Sequence, residues 1–398
     1  MIIIIFNPKG SKKVDLYYNT MFGPTEDFAS IGIKEAKNRS LAKITYKRRL
    51  DRIPVQEYNI IPDIVKDKNS KDLHLIYSCS GILSKTNNKA ADLFNINFDP
   101  IIKLIKNRYK HARRINVIPF DVVAWDESIP KKNYPEFQLW RKLQEKIDTP
   151  IRMFHYHIKH TDFTEILYSD IYAYTFINMC KPLDIPCNYN NVYKKLSCLN
   201  NASREHRNII TVLLRDFDIL LTHRATLEAR KFNFIDPQIK EKYDTQLPIA
   251  LKQFAPNEYW NWDQLRNDRL IDSYDLIQKS FCHIVTEDPY DDLQPRVSDK
   301  TLKPLFAYRP FLLLGSCYTL EWLRNQGFQT FSKWWDESYD SMHDHRARLE
   351  AVYRNAEYIN SLSLSDCKQL LQEMKPVLEH NANHLSVFQK ATYANLLA

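Results

Sequence analysis

Apolar and polar positions alternate along this chain in a way that predicts repeated buried strands, each followed by a helix. Residues 2–6 (IIIIF) form an uninterrupted apolar run that ends at Asn7-Pro8-Lys9-Gly10, as a buried strand entering a loop does. The same reading applies to residues 73–79, ending at Ser80-Gly81, and to residues 115–120, closing on Asp121. Helical periodicity fills residues 98–110 and 136–147 between and after them. This alternation predicts a first α/β domain over residues 1–185. Residues 181–191, with two prolines and three asparagines, read as a linker.

The second half repeats the pattern. Residues 193–200 read as a strand, and Ser203 is a candidate cap for the helix that follows. Residues 232–280 read as aromatic and polar loop. The densest signal lies in residues 280–340. There a β-type run, Cys282 to Thr286, meets an acid, Glu287, and a polar loop. Ser298-Asp299-Lys300 then opens a helix, and a second apolar run, Phe311 to Leu314, stops at Gly315-Ser316. Strand, loop, helix and strand in that order predict a βαβ unit. A helix follows over 318–325, stopped by Gly327, and residues 328–331 read as a further short strand. From His345 the pattern is helical to the end, with breaks at 361–365 and at Pro376. The predicted organisation is thus residues 1–185, 186–345 and a helical segment 346–398.

In an open parallel sheet the ligand sits beyond the carboxyl ends of the strands. Glu287, Ser298, Asp299, Lys300 and Gly315 are all placed at that edge. The exposed amides of a helix first turn, with Lys300 beside them, suit a phosphate. Asp299 or Glu287 would take ribose hydroxyls. Arg204, His206 and Arg207 are expected in the first turn of an earlier helix, where cations oppose the helix dipole unless an anion binds. A capped helix beginning Ser-Asp-Lys and a pair of solvated arginines are the alternative readings.

Composition adjusts this picture only modestly. The chain has 398 residues, 44% apolar and 26% charged, which suits a globular protein of two or three domains. Its six glycines form neither a G-x-G-x-x-G nor a Walker loop, so phosphate binding would use helix ends and side chains. The net charge of +8 points to an anionic partner, and clusters at Lys47-Arg48-Arg49 and around Lys106 to Arg114 permit DNA. The 23 tyrosines fit either stacking on flat ligands or an AT-rich coding bias. Seven cysteines without a C-x-x-C pair read as free thiols in a reducing cytoplasm. No signal peptide and no membrane span are expected. His155 and His157 would share one strand face, a spacing that permits a metal, although no carboxylate or cysteine completes a ligand set.

Two blocks of the second half resemble a set of glycosyltransferase-like proteins found in bacteriophages and some bacteria. The first is Leu196 to Asn200 followed by Arg204-Glu205-His206-Arg207. The second runs from Ile284-Val285-Thr286-Glu287 through Ser298 to Pro304 and Arg309-Pro310-Phe311. It continues to Gly327-Phe328-Gln329-Thr330-Phe331 and Asp336-Glu337-Ser338-Tyr339-Asp340. The set carries T-E-K, F-K-P, P-F, G-F-x-T-F and D-E-S-Y-D in that order, and T-E-K also marks the donor site of fucosyltransferases with the GT-B architecture. Here T-E-K is Ser298-Asp299-Lys300, with a carboxylate one methylene shorter.

The resemblance covers about residues 193–345. It implies a GT-B-like α/β fold, with two Rossmann-like domains facing a central cleft and C-terminal helices. It further implies a metal-independent glycosyltransferase with no cofactor beyond a nucleotide-diphosphate sugar. Its donor site would draw on Asn200, Arg204, Arg207, Glu287, Ser298, Asp299, Lys300, Lys303 and Gly315. Arg204 and Lys300 would neutralise the diphosphate, Asp299 would hold the ribose, and Glu287 would touch the sugar or orient Lys300. The general base would come from the first domain, with Asp126, Asp121 and His155 as candidates and Glu127 and His157 nearby. The acceptor would be a hydroxymethylated base in DNA or a glycan, and the location a cytoplasm, that of the host if the source is a virus. A non-catalytic nucleic-acid binder on a degenerate transferase fold, and a sugar-nucleotide hydrolase or epimerase, are the alternative functions.

Overall fold

The computed structural model describes residues 2–6, 55–58, 73–78, 98–108, 110–120, 135–155, 166–168, 188–200, 204–223, 232–253, 274–287, 290, 293 and 295–397. It is a mixed α/β protein with two parallel-rich sheets. The chain divides into two compact units, Met1–Pro182 with Thr392–Ala398, and Leu183–Ala391.

The first unit contains a six-stranded sheet. Its strands are β1 (Ile2–Phe6), β2 (Val55–Tyr58), β3 (Leu73–Ser78), β4 (Ile115–Phe120), β5 (Ile151–His155) and β6 (Ile166–Tyr168). The order is β2-β1-β3-β4-β5-β6, and only the edge strand β2 runs antiparallel. Helices α1 (Asp99–Arg108) and α2 (Pro135–Lys146) follow β3 and β4 in the chain. The strands β2 and β6, of four and three residues, are too short for a periodicity to register from sequence.

The second unit is built on four parallel strands, β7 (Lys194–Asn200), β8 (Ile219–His223), β9 (Ser280–Thr286) and β10 (Phe311–Leu314), in the order β10-β9-β7-β8. Every residue of β9 and β10 is buried, as parallel strands covered on both faces require. Helix α3 (Glu205–Leu213) joins β7 to β8, and α4 (Pro237–Gln253) follows β8. The sequence reading placed only loop over 232–280, and α4 corrects it. Proline at its first position suits a helix start, while Pro248 inside it hides the helix from a breaker-based reading.

Helix α5 (Asp299–Phe306) connects β9 to β10, which pair in parallel from His283 with Phe311 to Thr286 with Leu314. The predicted βαβ unit is therefore present. Helix α6 (Thr319–Asn325) follows, then α7 (His345–Ser361) and α8 (Leu364–Leu397), which runs unbroken through Pro376.

α5 and α6 end in the same way. After α5, Arg309 N donates to Pro304 O and Tyr308 N to Leu305 O, with Tyr308 left-handed at φ 53°. After α6, Phe328 N donates to Leu323 O and Gly327 N to Arg324 O, with Gly327 at φ 92°. Both are Schellman stops. A Cβ on Gly327 would also lie 2.7 Å from His384 Nε2, so backbone angle and space both demand glycine there.

Residues 328–331 are not a strand, contrary to the expectation for this short Phe-Gln-Thr-Phe segment. The backbone of Gln329 pairs instead with one side chain of α8. Gln329 N donates to Asn381 Oδ1 at 2.8 Å, and Asn381 Nδ2 donates to Gln329 O at 2.8 Å. An asparagine amide carries the same donor and acceptor as a peptide, so it replaces a neighbouring strand.

Candidate functional site

All four strands of the second sheet point the same way, so their carboxyl ends share one edge. From β7 the chain first adds β8 on one side, then returns to add β9 and β10 on the other. The order therefore reverses between β7 and β9, and that reversal opens the crevice in which open α/β sheets bind ligands. β7 ends at Asn200 and β9 at Thr286, so the predicted donor-site residues fall at this edge.

Several of them hold the edge together. Asn200 is buried, donates through Nδ2 to Thr211 Oγ1 at 3.0 Å and accepts from Thr286 Oγ1 at 2.6 Å. It ties the ends of β7 and β9 to α3. Arg207 is also buried and donates through Nη2 to Thr286 O at 3.0 Å. Arg204 is exposed and occupies the N-cap position of α3, with extended backbone and no side-chain cap bond. The helix begins one residue later than a Ser203 cap implies, and Ser203 lies outside the described residues.

Glu287 has a fully defined set of partners. It is 0% exposed. Oε1 accepts from Ser298 N at 2.9 Å, Thr301 N at 3.2 Å and Thr301 Oγ1 at 2.6 Å, while Oε2 accepts from Ser298 Oγ at 2.6 Å. The carboxylate thus caps α5 across the loop and complements its dipole. This alters the sequence picture. The first-turn amides of Ser298 and Thr301 are bonded to Glu287, and Lys300 N is bonded to Ser298 Oγ at 3.3 Å, so this turn does not present a row of open amides. Gly315 makes the arrangement possible: a Cβ there would lie 3.2 Å from Glu287 Cβ.

What remains accessible at the start of α5 is a chain of charges. Lys300 Nζ lies 3.2 Å from Asp299 Oδ1 and 3.2 Å from Ser298 Oγ. Lys303 Nζ lies 3.0 Å from Asp299 Oδ2. Lys300 is 32% exposed at its side chain and Asp299 22%. Burial by itself would raise the Asp299 pKa, but the two lysines and their hydrogen bonds outweigh it and hold the carboxyl well below the ordinary range.

Beneath the edge, Ser280 Oγ donates to Ser197 Oγ at 2.7 Å, and Ser197 Oγ lies 2.9 Å from His283 Nδ1. Burial, helped by the charge of Lys303, depresses the His283 pKa to about 3, so the ring is neutral. Burial also raises the Cys198 thiol to about 12 and the Cys282 thiol well above its usual value, which keeps both unreactive.

The remaining motif residues are architectural. Arg309 is buried and donates to the carbonyls of Ser280, Tyr308, Asn188 and Gln278. Asp340 accepts from Leu320 N and Glu321 N, both at 2.8 Å, and so caps α6. Glu337 accepts from Phe331 N at 2.7 Å and Thr330 Oγ1 at 2.7 Å.

Two supports of the edge, Tyr290 and Arg348, were missed from sequence. The His206 ring packs on Tyr290 at 4.3 Å between centroids. Arg348 of α7 reaches the Tyr290 carbonyl and donates to Cys317 Sγ at 2.8 Å. Nothing local marks Arg348, which reads as one more charge on a helix.

Of the candidate bases, Asp121, Asp126 and Glu127 lie outside the described residues, as does His157. His155 is the last residue of β5, and its side chain is not among those described. Among the described residues no group of three or more His, Cys, Asp or Glu could hold a metal, and no helix is long and apolar enough to cross a membrane.

No family model matches the chain, and no curated protein matches it. Among solved structures it is similar to the DNA-modifying enzyme beta-glucosyltransferase, crystallised with and without uridine diphosphoglucose. That likeness has 11% identity, 82% of each chain covered and a TM-score of 0.39. It is also similar to the N-terminal domain of Candida albicans trehalose-6-phosphate phosphatase, at 8% identity over 81% of this chain and 89% of that one, with a TM-score of 0.36. At TM-scores under 0.5 neither likeness bears on the chemistry of this edge.

Proposed function

We propose that the second unit binds a nucleotide-diphosphate sugar and that the protein transfers the sugar to an acceptor hydroxyl, with a GT-B-like architecture. One observation carries this reading. The strand order reverses between β7 and β9, and exposed Arg204 and half-buried Lys300 stand on the helices that leave that reversal. A diphosphate leaving group needs cations held in place before the bond breaks, because preorganised charge costs no rearrangement during reaction. Lys300 supplies such a cation at the start of α5, beside Ser298 and Asp299. The ordered motifs from Thr286 to Asp340 support the same reading. The proton acceptor is sought in the first unit among Asp121, Asp126 and His155. A hydroxymethylated base in DNA is the acceptor favoured by the net charge of +8 and the bacteriophage resemblance.

A second reading is a nucleic-acid binder on a degenerate transferase fold. It is favoured by the complete engagement of Glu287 in capping α5, since retention of that acid needs no ligand to explain it.

A thermal-shift screen of UDP, GDP, CDP and their sugar conjugates against wild type and Lys300→Ala separates the two. A ligand at a hundred times its Kd adds about 2.7 kcal/mol of stability. Stabilisation of wild type, lost in Lys300→Ala, supports the transferase. Duplex DNA binding without any nucleotide response supports the binder.

A further inference from the structure

Asp299 is the residue at which motif and geometry predict opposite signs. The resemblance makes it a ribose acceptor, so removing its charge would weaken nucleotide binding. The geometry instead divides its two oxygens between two ammonium groups, Oδ1 with Lys300 at 3.2 Å and Oδ2 with Lys303 at 3.0 Å. We infer that Asp299 is the resident counter-ion of Lys300, a positioning residue from which an incoming phosphate must draw the ammonium, and that it lowers the anion affinity of the site. This rests on the nucleotide-diphosphate reading above.

Four features carry the inference. Lys303 sits four residues after Asp299 on α5, one helical turn on, and holds the second oxygen. Asp299 therefore stays in place when Lys300 swings to a ligand, and the exchange is reversible. Ser298 Oγ, 3.2 Å from Lys300 Nζ, is a second partner of the ammonium. Glu287 cannot substitute as the counter-ion, because its oxygens accept from Ser298 and Thr301. The shorter side chain at position 299 fits the role, since an aspartate at a helix start is confined close to its own turn. Binding an anion thus exchanges one ion pair for another, and the net gain is smaller than for a bare lysine.

The test is calorimetric titration of inorganic pyrophosphate, which has a diphosphate and no ribose. The proteins compared are wild type, Asp299→Asn, Asp299→Asn with Lys300→Ala, and Asp244→Asn. The last makes the same change in net charge on α4, at a residue paired with Lys240. Asp299→Asn is expected to bind pyrophosphate several-fold to about tenfold more tightly. The gain should vanish when Lys300→Ala is added and be absent in Asp244→Asn. Equal or weaker binding by Asp299→Asn overturns the inference. So does weaker UDP binding with pyrophosphate unchanged, which would restore the ribose role.

If no variant binds pyrophosphate or any nucleoside diphosphate, the proposed function falls by itself. The counter-ion role is then decided by NMR of the Lys300 ammonium. Its hydrogen exchange with water speeds up in Asp299→Asn if the pair holds it, and an unchanged rate overturns the role.

Discussion

Glu287 and Thr301 meet across the loop that leaves β9: one carboxylate oxygen accepts both Thr301 N at 3.2 Å and Thr301 Oγ1 at 2.6 Å. The contact fixes the start of α5, and with it the position of Lys300. Glu287→Ala removes the acceptor for buried donors, each worth about 1–3 kcal/mol when left unpaired. Partial rescue by water leaves an expected loss of about 2–4 kcal/mol. The check is a lower urea midpoint at constant m. The nucleotide binding proposed above should weaken too at temperatures where the variant is folded, because Lys300 loses its platform.

Gly315→Ala should act on the same carboxylate. Its new methyl would lie 3.2 Å from Glu287 Cβ, and Glu287 is pinned by its four bonds. Overpacking of this kind costs about 1–3 kcal/mol. A melting temperature equal to wild type would show that the strand end can yield.

Arg309 presents its guanidinium to four backbone carbonyls. Lysine keeps the charge but not the fork, so Arg309→Lys strands several of these acceptors. A loss of about 2–4 kcal/mol is expected, measured by denaturant unfolding. The proposed nucleotide response should be unaffected where the protein is folded, because Arg309 is buried at the opposite, amino-terminal end of β9.

Asn381 offers a paired test of the strand mimic. Both Asn381→Ala and Asn381→Asp should destabilise by about 1–3 kcal/mol. Aspartate can still accept from Gln329 N, but it cannot donate to Gln329 O. Rescue by aspartate would show that only one of the two bonds matters.

Acid should weaken the fold through His283. Its folded pKa of about 3 lies below the ordinary histidine value, so the unfolded chain takes up the proton first. The stability tied to the neutral ring is complete above about pH 6.5 and is lost as pH falls towards 3, at up to about 1.4 kcal/mol per pH unit. Asp299, also depressed, adds to the loss only below the carboxylate range. Comparing wild type with His283→Asn between pH 4.5 and 6.5 isolates the histidine, and the variant should show a shallower slope.

The sequence by itself determined the strand–helix alternation, the βαβ unit of β9, α5 and β10, the Ser298 cap and the Gly327 stop. Each is set by short-range rules: apolar runs bury, a hydroxyl caps, and a left-handed residue ends a helix. The sequence could not say that β9 inserts beside β7 while β8 lies on the far side, because strand order depends on contacts between residues 83–86 positions apart. Nor could it separate motif residues that face a ligand from those that face the fold. Glu287 reads as a donor contact and Arg309, Glu337 and Asp340 as motif positions in one dimension, yet all four are engaged by groups of the fold itself. Phe328 and Phe331 read as a strand until Asn381, about 50 residues later, supplied the partner. Tertiary structure decided these points because a buried charge or open backbone group must find a partner, and the partner lies wherever folding brings one within reach.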